Sequence, residues 1–110
     1  MSCIFCKIAG KEIKSSIVHE SGSVIAFDDI SPQAPVHVVI IPKQHAISMT
    51  ALSSSVQDEI FRAISQVSRL KGVQDSGFRV VINNGKDAGQ AVEHLHFHLL
   101  GGRKLAWPPG

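Results

Sequence analysis

Apolar positions recur along the chain with two distinct periods. Across residues 54–71 they fall at Val56, Ile60, Ala63, Ile64, Val67 and Leu70, one face of a 3.6-residue repeat, and predict one long amphipathic helix. Ser54 followed by Gln57 has the spacing of a capping box, and Gly72 stands where a helix-ending glycine is expected. Upstream, the run Val-Ile-Ala-Phe within residues 23–28 reads as a strand. The β-branched run Val36-His-Val-Val-Ile-Ile41, closed by Pro42, predicts a central one. Between them Ile30-Ser-Pro-Gln-Ala-Pro35 carries two prolines and predicts a loop. Downstream, Phe78-Arg-Val-Val-Ile82 and residues 94–100 predict further strands, with a turn at Asn83-Asn-Gly85. A short helical turn over residues 3–9, ending at Gly10, opens the chain and puts Cys3 and Cys6 on one face beside Ile4, Phe5 and Ile8. Strands, one long helix and strands again predict an α+β fold, the helix covering one face of a mostly antiparallel sheet.

With 110 residues, 44% of them hydrophobic and 18% charged, the chain is expected to form one globular domain over residues 1–110. A net charge of +2 is too weak to argue for a nucleic-acid or membrane partner, and neither is expected. The longest apolar stretch, residues 36–42, covers a strand and not a membrane span. The start Met1-Ser-Cys-Ile-Phe-Cys6 lacks the pattern of a secretory signal, so a cytoplasmic location is expected. There, two cysteines three positions apart suit a metal pair or a redox pair better than a disulfide framework.

The densest chemistry lies in His94-Leu-His-Phe-His-Leu-Leu100. On a strand, His94, His96 and His98 project from one face, and Leu95, Phe97 and Leu99 from the other. Desolvating three imidazoles is costly unless each finds a partner, which points to a metal site or a nucleophilic site. Immediately upstream, residues 83–90 form a polar loop in which Gly85 and Gly89 would let backbone amides face an anion.

The spacing His-φ-His-φ-His-φ-φ, with φ apolar, resembles the signature of the histidine triad family of nucleotide hydrolases and transferases. Further similarity lies in Cys3-Ile-Phe-Cys-Lys-Ile8, Phe27-Asp-Asp-Ile-Ser-Pro-Gln-Ala-Pro-Val-His37, Val39-Ile-Ile-Pro-Lys-Gln-His45, Asp87-Ala-Gly-Gln90 and Leu100-Gly-Gly-Arg-Lys-Leu-Ala-Trp-Pro-Pro-Gly110. Together these resemble the Hint branch, the purine nucleoside phosphoramidases. The resemblance implies a homodimer whose two sheets join into one, and cleavage of the P–N bond of purine nucleoside 5′-phosphoramidates carrying AMP or GMP. His96 would be the nucleophile, with His98 and His37 available for proton transfer and charge neutralisation.

For the nucleotide, the resemblance implies base packing by Ile4, Phe5, Ile8, Phe27 and Ile30, a ribose contact from Asp29, and phosphate contacts at Asn83, Gly89, Gln90 and Val92. Two positions depart from the family pattern. Ala91 stands where many Hint proteins carry Ser, and Asp28 replaces a His of animal members, which bears on base and ribose preference. Cys3, Cys6, His45 and His94 make a tetrahedral zinc set of two thiolates and two imidazoles. Some microbial relatives use corresponding positions this way, so a structural zinc is expected, outside the reaction. Trp107-Pro-Pro-Gly110 corresponds to a tail that, in this branch, reaches toward the partner subunit's site. Two other readings share these residues: a nucleotide-binding scaffold with negligible turnover, and a dinucleoside polyphosphate hydrolase.

Overall fold

A computed structural model describes residues 3–110; Met1 and Ser2, the start of the segment read for a secretory signal, lie outside the described residues. The described residues form two α-helices, α1 (Ile4–Ala9) and α2 (Ser54–Leu70), and five strands. The strands are β1 (Ile17–Glu20), β2 (Val24–Asp28), β3 (Val36–Pro42), β4 (Phe78–Ile82) and β5 (Phe97–Gly101). They make one sheet in the order β1-β2-β3-β5-β4, with each neighbouring pair antiparallel. The expected α+β architecture holds.

The run of β-branched residues in β3 follows from its place at the centre of the sheet, where both faces are covered. Val38 and Ile40 join Val24, Ala26, Phe97, Leu99 and the α2 residues Ile60, Ala63, Ile64 and Val67 in the main core. On the opposite face Val39 and Ile41 pack with Ile25, Phe27 and Ile8 of α1. Each fully buried Val, Leu or Ile contributes roughly 1.5–3 kcal/mol relative to exposure, so both layers hold the sheet. The face under α1 is the thinner one, and His37 and His98 emerge on it.

Four details differ from the sequence reading. The last strand begins at Phe97, not His94, although Leu95, Phe97 and Leu99 still bury together. The preceding residues leave the ladder because Leu95 N–H donates to the Ala46 carbonyl and the His94 ring reaches Pro42. Helix α2 is capped by Ser53, whose Oγ accepts from Val56 N–H, while Gln57 donates back to the Leu52 carbonyl. The cap therefore lies one residue before the expected Ser54, and its third helical position, Val56, cannot return a side-chain bond. Leu70 is 60% exposed rather than part of the buried stripe, since the helix ends there and Gly72 follows at φ +70°. Finally, β1 was not expected: four residues with both ends exposed and a register shift give too short an alternation to stand out.

Candidate active site

The imidazole array is built by the pairing of β3 with β5. Val39 lies opposite His98 and His37 opposite Leu100, so His37 reaches His98 on the diagonal, Nε2 to Nδ1 at 2.9 Å. The Gln33 backbone N–H donates to His37 Nδ1 at 3.0 Å, which assigns the proton of neutral His37 to Nε2. His37 then donates to His98 Nδ1, and the proton of neutral His98 is left on Nε2. His96 is held the opposite way: its Nδ1–H donates to the His94 carbonyl at 2.8 Å, leaving a lone pair on Nε2. The two rings lie 4.9 Å apart, so one imidazole presents a nucleophilic nitrogen and its neighbour an N–H donor.

Burial favours the neutral form of His98 and of His37. It is the main cause lowering His98 from its ordinary 6.5 to about 4, with His96 and then His37 adding to it against the opposing pull of Asp29. His37 is also lowered by burial, partly opposed by the Asp29 carboxylate 3.4 Å away. A histidine with a depressed folded value binds fewer protons than the unfolded chain, so it favours unfolding as the solution becomes acidic. Stability is expected to hold above pH 6.5 and to fall as pH drops toward 4, with His98→Gln flattening that decline in urea titrations across this window.

A second cluster joins α1 to the same histidine segment. Cys3 caps α1, its Sγ accepting from Cys6 N–H. Cys6 Sγ lies 3.2 Å from His45 Nδ1 and 3.5 Å from His94 Nδ1, and Cys3 Sγ lies 3.4 Å from His94 Nδ1. Donors about 3.5 Å apart are what a tetrahedral ion with bonds of about 2.0–2.3 Å requires. His94 Nε2–H donates to the Pro42 carbonyl at 2.8 Å, which frees Nδ1 as a ligand and fixes the ring. Burial, together with Cys3, raises the Cys6 thiol, a preference that a divalent cation between the sulfurs reverses. Cys3, Cys6, His45 and His94 thus fit a zinc-type ion.

Asp29, His37 and His98 also bring three donor atoms close together. They do not suit a metal. His37 would have to offer Nε2 as a lone pair and carry its proton on Nδ1, against the Gln33 N–H. Nor do His94, His96 and His98 converge, because their bonded nitrogens face Pro42 and the cysteines, the His94 carbonyl and His37.

Beside His98 opens an apolar cleft with about 610 Å³ of empty space, walled by Ile4, Phe5, Ile8, Phe27, Val39 and Ile30. Phe5 meets Phe27 and His96 edge-on at 5.7 and 5.1 Å. Ile30 is 97% exposed at the lip. Asp28 and Asp29 supply carboxylates at the cleft. Asp28 is engaged by Lys71 at 2.7 Å and by Ser16 Oγ at 3.0 Å, while Asp29 accepts from Ser31 N–H.

The expected phosphate loop stands apart from this picture. Asn83, Gly89, Gln90, Ala91 and Val92 do not line the cleft. The Gln90 carboxamide is spent within its own neighbourhood, accepting from Gly85 N–H and donating to the Ile47 and Val92 carbonyls. Its side chain braces the turn into His94. Three cleft residues, Ile13, Lys14 and Ser15, were missed. They follow α1 in an irregular segment with no periodic signal.

Fold and site define a small antiparallel α+β protein with a histidine-lined apolar cleft and an adjoining Cys2His2 cluster. The model of the HIT domain matches residues 10–105, and the chain belongs to that family. A crystal structure of a HIT family hydrolase from Legionella pneumophila superposes with a TM-score of 0.93 at 41% identity, covering 99% of this chain and 100% of that one. A histidine triad protein from Clostridium difficile gives a TM-score of 0.90 at 43% identity, over 96% of this chain and 95% of that one. A 14 kDa zinc-binding protein of Zea mays is 46% identical over 112 residues, spanning 97% of this chain and 87% of the maize protein. No helix of the described residues is long and apolar enough to cross a membrane.

Proposed function

We propose that this HIT protein is a Hint-type purine nucleoside phosphoramidase. The observation that carries the reading is the pair of opposed tautomers, a lone pair at His96 Nε2 beside an N–H at His98 Nε2. His96 Nε2 attacks the α-phosphorus and the P–N bond to the leaving amine breaks. The leaving nitrogen takes up a proton delivered along the His98–His37 pair, because an amide anion cannot depart. Water then attacks phosphorus, its proton returning to the His98–His37 pair, the bond to His96 Nε2 breaks, and the nucleoside monophosphate is released. Phe5, Ile4, Ile8, Phe27 and Ile30 hold the purine, Asp29 binds the ribose hydroxyls, and backbone groups of residues 89–92 receive the phosphate.

Zinc at Cys3, Cys6, His45 and His94 supplies a structural tie and takes no part in the reaction. The reading sets the protein in the cytoplasm, where thiols stay reduced. It works as a homodimer joined along β4, an edge strand with an unpaired side.

The test is release of AMP from adenosine 5′-phosphoramidate, with diadenosine polyphosphates as the competing substrate. Faster turnover of the phosphoramidate is expected. Binding of AMP with no turnover of either substrate would make the chain a scaffold instead. Because Ala91 withholds a hydroxyl donor next to the phosphate loop, Ala91→Ser is expected to raise kcat severalfold; an unchanged or lower kcat would contradict that role.

A further inference from the structure

Most polar groups of the cleft already have partners. Asp28 holds Lys71 and Ser16, Asp29 holds Ser31 N–H and faces His37, and His98 is bonded to His37. Lys14 is exposed and solvated. Ser15 differs from all of these. Its Oγ is shut off from water and has no hydrogen-bond partner, the only such side-chain atom among the described residues. An unsatisfied buried hydroxyl is destabilising, and native proteins rarely retain one without a reason. This one belongs to a residue that lines the cleft beside Ile4, Phe5, Ile8 and Phe27. A serine side chain has three staggered χ1 positions, so its oxygen can be re-aimed by rotation without moving the backbone.

We propose that Ser15 reads the purine, its hydroxyl bonding an in-plane nitrogen or exocyclic group of the base once the ring enters the cleft. The inference deepens the nucleotide reading above and rests on it. A hydroxyl both donates and accepts, so it serves adenine and guanine alike and gives nothing to an apolar ring of the same size. It acts on binding and not on the reacting atoms, which separates its signature from that of the histidines.

The experiment compares wild type with Ser15→Ala for binding of AMP and of ribose 5-phosphate, for kcat and KM on adenosine 5′-phosphoramidate, and for thermal midpoint. Expected in Ser15→Ala are a Kd for AMP and a KM raised about threefold to tenfold, the worth of one neutral hydrogen bond. The affinity for ribose 5-phosphate and kcat stay unchanged, and the midpoint is equal or higher because an orphaned hydroxyl has been removed. Equal AMP affinity in the two proteins overturns the assignment, as does a parallel loss for both ligands or a lowered midpoint without loss of AMP affinity. A wild type that binds no AMP overturns the nucleotide reading as well, so the two failures are distinguishable.

Discussion

His96→Ala is expected to lower AMP release from adenosine 5′-phosphoramidate by about a thousandfold or more, the usual scale for removing a covalent nucleophile. The fold should survive, since the ring bonds only the His94 carbonyl of its own segment and leaves the main core intact. AMP should still bind within severalfold of wild type, because the residues proposed to contact base and ribose lie on α1, on β2 and in the turn after it. His98→Gln should be impaired less. It keeps an N–H donor near the cleft but loses the ring proposed to pass a proton on from His37. Equal losses at both positions, with binding abolished, would mean that the array shapes the site rather than reacting in it.

The second large effect concerns the metal. Protein purified without chelator is expected to carry about one zinc per chain, and a content below about 0.2 contradicts the site. Stripping it should lower the thermal midpoint by about 10 °C or more, since a ligand held far above its Kd stabilises by several kcal/mol and each counts for about 4–8 °C in a chain of this size. Cys6→Ser should reproduce that shift without chelator. The loss would be felt beyond the cluster, because Cys3 caps α1 and His94 supplies the carbonyl that orients His96. Chelation is therefore expected to weaken nucleotide binding as α1 loosens, yet any protein that stays folded should keep turning over.

The sequence made the faces legible better than the pairings. Alternation along residues 94–100 correctly sent Leu95, Phe97 and Leu99 into the core, even though the hydrogen-bonded strand begins only at Phe97. What alternation cannot encode is that His94 turns toward the cysteines while His98 turns toward His37. That division depends on the β3–β5 register and on the Gln33 and Pro42 backbone groups, which are remote in sequence. The role of Gln90 was similarly hidden, because its partners at Gly85, Ile47 and Val92 are set by the fold of the loop. Ser15 sits in a polar stretch with no periodicity, and only the packing around its oxygen singles it out.

The most direct test of covalent catalysis at His96 is the stereochemical course at phosphorus. A single diastereomer of an adenosine 5′-phosphoramidothioate would be hydrolysed in ¹⁸O-labelled water and the configuration of the product determined. Each in-line displacement inverts phosphorus, so attack by His96 followed by attack of water predicts overall retention, whether or not the intermediate accumulates. Net inversion would mean that water attacks the substrate directly and that His96 is not the nucleophile.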